Sequence, residues 1–510
     1  MTLNYLENSD VVLEQGYESD EKIPTKITGL AHFYVILLSL LVSLISVTLP
    51  VLNGFASTEQ TQYLYTGLMM SKGVLPYNDI YATGGFLYYT IIALAYRLGS
   101  PLWLILVQFV ANYFSGRYLY KIVTDWTNSG ELAVAINLLF YLFNAILGFG
   151  GLYPIQWALP FLLSMIWFLN VYVKGLVTDE GFIRFGLVSL IGMFIEPRLL
   201  LFWVIATVML FSYNLTAKRF ARGFYQALCF IFGALVVVYT VGYFIFNEQL
   251  LTAYLAQPVV FYMTVFQSGQ ENMAISMGYQ AAIILASGLI FTFKTEKNKL
   301  LAPVKAVLIT SILIYSVYAL LSQSFAAYHL LFLFVQGLIL ASLRLSRIYQ
   351  SSLVNRSHRR HRRSSVAKHF FYQYFTTSYL LPLVMMVLVV GQLAYHYWSE
   401  FPLASERQQI ASFITEHSKQ NTKIYVWDNQ ADIYLKSERP SVSRWTLPDQ
   451  YTVTVQNKQA LEDSLLADKA EFLIVKNGAP LSQAMQTNFA KHYKQVTDNS
   501  SDTFVIYQLK

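Results

Sequence analysis

Two carboxylates, Glu59 and Asp79, stand in a polar stretch that follows the first hydrophobic run of the chain. This first loop, residues 52–84, is rich in aromatic side chains and too polar to cross a bilayer. A carboxylate fixed at a membrane surface can act as a general base that takes a proton from a hydroxyl group. The loop is therefore where this sequence could carry out group transfer.

The pattern around each carboxylate predicts how it is held. Apolar residues at helical spacing predict a helix from Glu59 to Met70 that lies along the membrane surface. Pro76 disfavours helix in the residue before it, and Asn78-Asp79 favours a hydrogen-bonded turn. Asp79, restrained by this turn, is the preferred base, and Glu59 is the second candidate. The alternative is structural: Glu59 caps a helix, where an anion is favoured, and Asp79 only shapes a turn.

A short pattern, G-x-x-P-Y-x-D-x-Y, lies in the same loop. Its members are Gly73, Pro76, Tyr77, Asp79 and Tyr81. With the apolar run before it and an acidic residue early in the loop, it resembles the GT-C superfamily of polyprenyl-phosphate-sugar-dependent glycosyltransferases, in the protein-mannosyltransferase-like group. The resemblance implies a lipid-phosphate sugar donor, catalytic roles for Asp79 and Glu59, and contacts from Tyr77 and Tyr81 to the lipid phosphate.

This chain departs from the family pattern at two places in the loop. The family often has two adjacent acids where this chain has Thr58-Glu59. It often has a lysine followed by proline where this chain has Gly84-Gly85, so a cation expected at the lipid phosphate is missing.

Three basic residues are candidates to bind that phosphate instead. Arg198 lies at a break between apolar runs beside Glu196, and His329 lies at the end of a later run. Lys72 lies in the first loop itself. Ionisable groups near a membrane are costly and therefore functional suspects. The alternatives are a local ion pair between Arg198 and Glu196, an interfacial histidine and a solvated lysine.

Composition identifies the class of protein. The chain has 510 residues, of which 55% are hydrophobic and only 13% are charged. This is far more apolar surface than a soluble core needs, so we expect an α-helical polytopic membrane protein. The single cysteine, Cys229, excludes an internal disulfide.

The net charge of +7 has a local source. Basic residues are concentrated in a loop at 344–370, which is typical of a cytoplasmic loop resting on anionic membrane lipid. Nucleic acid is not expected as a partner. The first 28 residues lack the pattern of a cleaved signal peptide and are predicted to form a cytoplasmic tail.

Hydrophobic runs between residues 29 and 398 predict the transmembrane domain. The run at 85–98 is too short to span and is predicted to be re-entrant or incomplete, because a spanning helix needs about 20 residues. Charge placement then favours eleven crossings, with thirteen as the alternative, and an external C-terminus. The stretch from Asn247 to Met273 could form a lid or an acceptor groove, or a plain interfacial loop.

The composition changes at about residue 399, and residues 399–510 read as a small external α/β domain. Strands are predicted at 423–427, 471–475 and 503–507, and helices near 405–418 and 481–493. No nucleotide-binding motif occurs here, so a nucleotide-sugar donor is not expected in this domain.

These observations favour an inverting glycosyltransferase on the outer face of a bacterial plasma membrane. The resemblance implies an undecaprenyl-phosphate-type sugar donor, and the acceptor is a cell-envelope glycan, a teichoic-acid-like polymer or a protein. No cofactor is expected; a divalent metal is possible but unsupported, because no metal-binding motif occurs. Two other classes stay open: a transporter or flippase of lipid-linked glycans, and a non-catalytic scaffold for envelope assembly.

Overall fold

A helical membrane domain and a smaller α/β domain make up the protein. The predicted tail at 1–28 lies outside the described residues, as do residues 358–370 of the predicted basic loop at 344–370, whereas residues 344–357 are helical. The computed structural model describes residues 29–260, 273–289, 301–322, 325–357, 372, 374–376, 381–452, 454–496 and 503–510.

Helices dominate the first domain, and their ends follow ordinary sequence signals. Ser129 accepts a hydrogen bond from the Leu132 amide at the start of one helix, and Pro154 opens the next. The helices are α1 (Gly29–Ser43), α2 (Thr58–Ser71), α3 (Phe86–Arg97), α4 (Trp103–Thr127), α5 (Gly130–Leu147), α6 (Pro154–Val173), α7 (Gly181–Ile195), α8 (Leu199–Thr216), α9 (Phe220–Val237), α10 (Tyr243–Asn247), α11 (Leu251–Leu255), α12 (Met273–Ala286), α13 (Ala302–Leu321), α14 (Leu331–Ser357) and α15 (Leu381–His417).

Several of these helices can cross a membrane, as predicted from composition. Four shorter apolar helices are Gly29–Ser43, Gly181–Ile195, Leu251–Val260 and Met273–Ala286. The 12-residue α3 is too short to span, in keeping with the prediction for 85–98. Eleven crossings and an external C-terminus stay predictions. In the described part of the chain, 6 helices are long and apolar enough to cross a membrane: Gly130–Leu147, Pro154–Val173, Leu199–Thr216, Phe220–Asn247, Ala302–Leu321 and Ala327–Arg347.

A chain of buried amides ties four of the helices together. Asn112 of α4 donates to Ser43 of α1 at 2.8 Å, and Asn144 of α5 donates to Asn112 at 2.8 Å. Gln156 of α6 then donates to Asn144 at 3.0 Å. A Cβ on Gly148 would lie 2.2 Å from the Gln156 amide nitrogen, so only glycine leaves room for this contact. These bonds fix the ends of α5 and α6, which border the candidate site.

Helix α2 covers the predicted range, but its surroundings differ from the prediction. Residues Gln60 to Met69 are all buried, rather than lying with one face on a membrane surface. The reason is that the C-terminal domain lies on the helix. The Tyr65 hydroxyl donates to the Arg439 carbonyl and accepts from the Ser441 amide. The polar face of α2 therefore serves as an interdomain contact.

The turn after α2 is held from the other side by Gln257. Its side-chain amide donates to the Tyr77 carbonyl at 2.6 Å and accepts from the Ala82 amide at 2.9 Å. The ring of Tyr254 packs edge-on against Tyr77. The described part of the stretch from Asn247 to Met273 thus fixes the first loop, while residues 261–272 lie outside the described residues.

The C-terminal domain contains one sheet, in which β1 and β2 are parallel and β4 is antiparallel to both β2 and β3. The three predicted strands are present, and β3, at the end of the predicted helix 481–493, was not predicted. The spatial order is β1-β2-β4-β3. The elements are β1 (Ile424–Trp427), α16 (Asp432–Ser437), α17 (Pro448–Tyr451), α18 (Val455–Ala467), β2 (Phe472–Lys476), α19 (Gln483–His492), β3 (Tyr493–Gln495) and β4 (Phe504–Leu509).

Helix α15 joins the two domains without a break. The predicted helical stretch near 405–418 is present, and it is the last part of a helix that runs from Leu381 through Pro402 to His417. Proline removes one helical hydrogen bond but does not always end a helix. Ile410 and Ile414 near its end are buried in the core of the C-terminal domain, which stabilises the continuation.

Candidate functional site

A cavity of about 220 Å³ lies where the start of α2 meets the end of α5, the loop before α14 and the middle of α15. Its walls mix aromatic rings with a few polar side chains, as small-molecule sites commonly do. The polar and aromatic side chains that matter below are Ser57, Glu59, Tyr153, Tyr328, Gln392 and His396.

Glu59 provides the one carboxylate among the described residues that line this cavity. It lies in the first turn of α2, which Ser57 and Gln60 cap reciprocally. In the described residues its carboxylate makes no hydrogen bond or ion pair, although it is half-buried. Burial, and next the charge of Glu59, raise the pKa of the Tyr153 phenol. Tyr153 therefore stays protonated, and its hydroxyl can act as a hydrogen-bond donor.

Stacked aromatic rings form one wall. The rings of Tyr153 and Tyr328 stack with centroids 3.9 Å apart, and Tyr153 donates to the Ser57 hydroxyl at 3.1 Å. Behind Tyr328, the guanidinium of Arg198 lies 5.8 Å from the ring centroid. Such a wall can stack against a sugar ring or a polyprenyl chain.

Arg198 forms an ion pair with Glu196, which was the alternative to phosphate binding for this residue. Its Nε and Nη2 atoms each donate to a Glu196 oxygen at 2.7 Å, a bidentate geometry. Its Nη1 contacts Nδ1 of His329, and the Tyr315 hydroxyl donates to its carbonyl. Arg198, Glu196 and His329 are all buried and do not line the cavity. The predicted contacts of Arg198 and His329 to a lipid phosphate stay predictions, and both side chains contact the Tyr328 ring.

Asp79, the first choice for the base, does not line this cavity, and its catalytic role stays a prediction. Its carboxylate accepts from the Leu75 amide and the Asn78 side chain, each at 2.9 Å, so the predicted turn is present. The side chain is exposed. Glu59 begins α2 and Asp79 follows its end, so the 14-residue helix lies between them in the chain.

The remaining predicted residues of the first loop make structural contacts. Lys72 forms an ion pair at 2.7 Å with Glu438 of the C-terminal domain. The Tyr77 hydroxyl donates to the Gly84 carbonyl, and Tyr81 stacks on Trp445. Their predicted contacts to the lipid phosphate stay predictions.

Sequence reasoning missed His396 and Gln392, which face Glu59 across the cavity. His396 lies 3.4 Å from the Ala56 carbonyl, and Gln392 donates to the Phe325 carbonyl. Both stand near the end of the last hydrophobic run, in an aromatic belt with Tyr395. A histidine in such a belt is the sequence signal that could have identified this wall.

No group of three or more His, Cys, Asp or Glu side chains that could hold a metal ion occurs within the described ranges.

The chain matches two described protein families, one for each domain. Residues 20–401 match the family described as "Putative competence-induced protein Ccs4 N-terminal domain", and residues 404–510 match "Putative competence-induced protein Ccs4 C-terminal domain". The chain belongs to the Ccs4 family. No curated protein matches this Ccs4-family chain.

Solved structures share its fold, and one of them illustrates the likeness. The archaeal oligosaccharyltransferase AglB from Archaeoglobus fulgidus, in complex with an inhibitory peptide and a dolichol-phosphate, superposes with a TM-score of 0.50. The match covers 94% of this chain and 74% of AglB, at 10% sequence identity. Likeness at this identity shows the fold alone, and it confirms the predicted GT-C-like fold. The bacterial, protein-mannosyltransferase-like subgroup stays a prediction.

Proposed function

We propose that this Ccs4-family protein is a membrane glycosyltransferase that transfers a sugar from a polyprenyl-phosphate donor to a cell-envelope acceptor. The observation that carries the proposal is the Glu59 carboxylate, half-buried in a cavity of aromatic and hydrogen-bonding side chains. The GT-C-like fold supports it, because AglB of the same fold was solved with a dolichol-phosphate. The outer face of a bacterial plasma membrane is the proposed location.

Glu59 acts as the general base in this proposal. It takes the proton from an acceptor hydroxyl while that oxygen forms a bond to the anomeric carbon of the sugar. The bond from the anomeric carbon to the lipid phosphate breaks, and the phosphate oxygen keeps the electron pair. Because the described lining offers one carboxylate, direct displacement with inversion fits better than a mechanism that needs two.

The leaving phosphate requires hydrogen-bond donors where its charge develops. Tyr153 can supply a phenol proton, and His396 and Gln392 stand on the opposite wall. Arg198 fixes Tyr328 from behind, because its guanidinium lies over that ring. Glu59, rather than Asp79, is therefore the base in this reaction.

The test is transfer by purified protein in lipid nanodiscs, with synthetic undecaprenyl-phosphate sugars as donors and envelope fractions as acceptors. We expect release of undecaprenyl phosphate that requires the acceptor, and no sugar transfer when a nucleotide sugar replaces the lipid donor. Movement of the intact lipid-linked sugar between leaflets without release would instead support a flippase. Absence of both would contradict the proposal and favour a scaffold.

A further inference from the structure

A second feature lies on the flank of the membrane domain, away from the Glu59 cavity. Helices α4 and α7 form the two walls of a groove, and α6 forms its floor. Two adjoining cavities, of about 360 Å³ and 260 Å³, follow the groove and share Tyr118, Ser164, Arg184 and Val188. The groove is therefore continuous along these helices.

The larger cavity is lined mainly by apolar side chains. Val107, Phe114, Trp157, Phe161 and Ile195 contribute to its walls. From Val107 to Lys121 the wall formed by α4 extends about 21 Å, at 1.5 Å for each helical residue. That length and apolar character suit an extended hydrocarbon chain.

Three cations surround the other end of the groove. Arg184 and Lys121 line the smaller cavity, and Arg117 lies one helical turn before Lys121 on the same side of α4. Arg184 donates to the Tyr118 hydroxyl at 3.5 Å, and Lys121 lies 5.8 Å from the Trp167 ring centroid.

These cations are not neutralised by the protein in the described part of the chain, where none of the three forms an ion pair with a carboxylate. Other basic residues at this end of the bundle do: Lys174 pairs with Asp125, and Arg222 pairs with Asp179. Like charges four residues apart on one helix, as at positions 117 and 121, repel each other. An anion between them would relieve that repulsion.

We propose that this groove binds one anionic glycerophospholipid, with its phosphate on Arg117, Lys121 and Arg184 and an acyl chain along the apolar walls. Charge complementarity and the continuous apolar groove identify the occupant. It is not the sugar donor, because the cations stand near the end of α6 opposite Tyr153, and this 20-residue helix is about 30 Å long. The inference therefore does not depend on the proposed transfer reaction.

Native mass spectrometry of the detergent-purified protein tests this site, with phosphatidylglycerol and phosphatidylcholine of the same acyl chains as probes. The test variant is Lys121→Gln/Arg184→Gln. The matched control is Lys218→Gln/Arg219→Gln, which removes one lysine and one arginine at the same end of the bundle but outside the groove.

We expect the wild type and the control to bind one phosphatidylglycerol in preference to phosphatidylcholine. The test variant should bind it at least about tenfold more weakly, since each lost charge-assisted hydrogen bond costs roughly that factor. Equal weakening in both variants, or equal binding of the two lipids by the wild type, would overturn the proposal. If the test variant fails to fold, Val110→Trp fills the groove instead and should lower the phosphatidylglycerol affinity; unchanged affinity would also overturn it.

Discussion

Replacement of Arg198 by methionine removes the positive partner of a deeply buried carboxylate. Glu196 is only 3% exposed, and two hydrogen bonds of 2.7 Å join it to the Arg198 guanidinium. In Arg198→Met the carboxylate stays buried without that partner, so the folded state loses stability.

The size of the effect follows from burial and chain length. Removal of one member of a buried ion pair costs about 3 to 5 kcal/mol of unfolding free energy. The entropy of unfolding is about 2.1 cal/mol/K for each residue, or about 1 kcal/mol/K for a chain of 510 residues that unfolds as one unit. The melting temperature of Arg198→Met should therefore fall by about 3 to 5 °C.

Thermal unfolding followed by intrinsic fluorescence in detergent measures this change. The double variant Glu196→Gln/Arg198→Met should recover most of the loss, because no unpaired charge is left behind. Arg222→Met is the control: its pair with Asp179 has side chains 40% and 24% exposed, and should cost about 1 kcal/mol or less. An Arg198→Met protein as stable as the wild type, or a double variant no better than the single one, would refute the structural role.

Three further predictions concern the loop and the C-terminal domain. Gly85→Ala should lower the melting temperature and expression, because a Cβ there would lie 2.1 Å from the Phe194 carbonyl oxygen. Gly73 has open space around it but a φ of +94°, so Gly73→Ala should show only the milder cost of backbone strain. Burial raises the pKa of the Asp432 carboxyl above its ordinary value of 3.8, so the folded state loses stability as this group ionises at higher pH. Asp432→Asn should therefore raise the melting temperature at neutral pH, and the gain should shrink as the pH falls toward 3.8. Tyr65→Phe removes the hydroxyl that bridges α2 to Ser441, and limited proteolysis should then cut the C-terminal domain faster than in the wild type.

Local patterns predicted the elements of the first loop well. The helix at α2 was predicted from Glu59 to Met70 and runs from Thr58 to Ser71, because capping and apolar spacing act over a few residues. The turn that restrains Asp79 was predicted for the same reason. The ion pair between Arg198 and Glu196 could also be considered from the sequence, since the two residues are close neighbours in the chain.

Packing between distant parts of the chain could not be predicted from such local patterns. The burial of α2 depends on contacts such as that of Tyr65 with Ser441, which join distant parts of the chain. The cavity likewise brings Glu59 together with His396 of α15. The predicted turn favoured Asp79 as the base, whereas the packing of the two domains places Glu59 in the wall of the cavity.

Single-turnover transfer from a synthetic undecaprenyl-phosphate sugar by Glu59→Gln and Asp79→Asn tests directly whether Glu59 is the general base. Both changes keep the size of the side chain and remove its charge. Loss of a general base lowers the rate about 100-fold to 10,000-fold, so Glu59→Gln should be reduced to that extent while Asp79→Asn transfers at close to the wild-type rate. A severe defect in Asp79→Asn with near-normal transfer by Glu59→Gln would contradict the account.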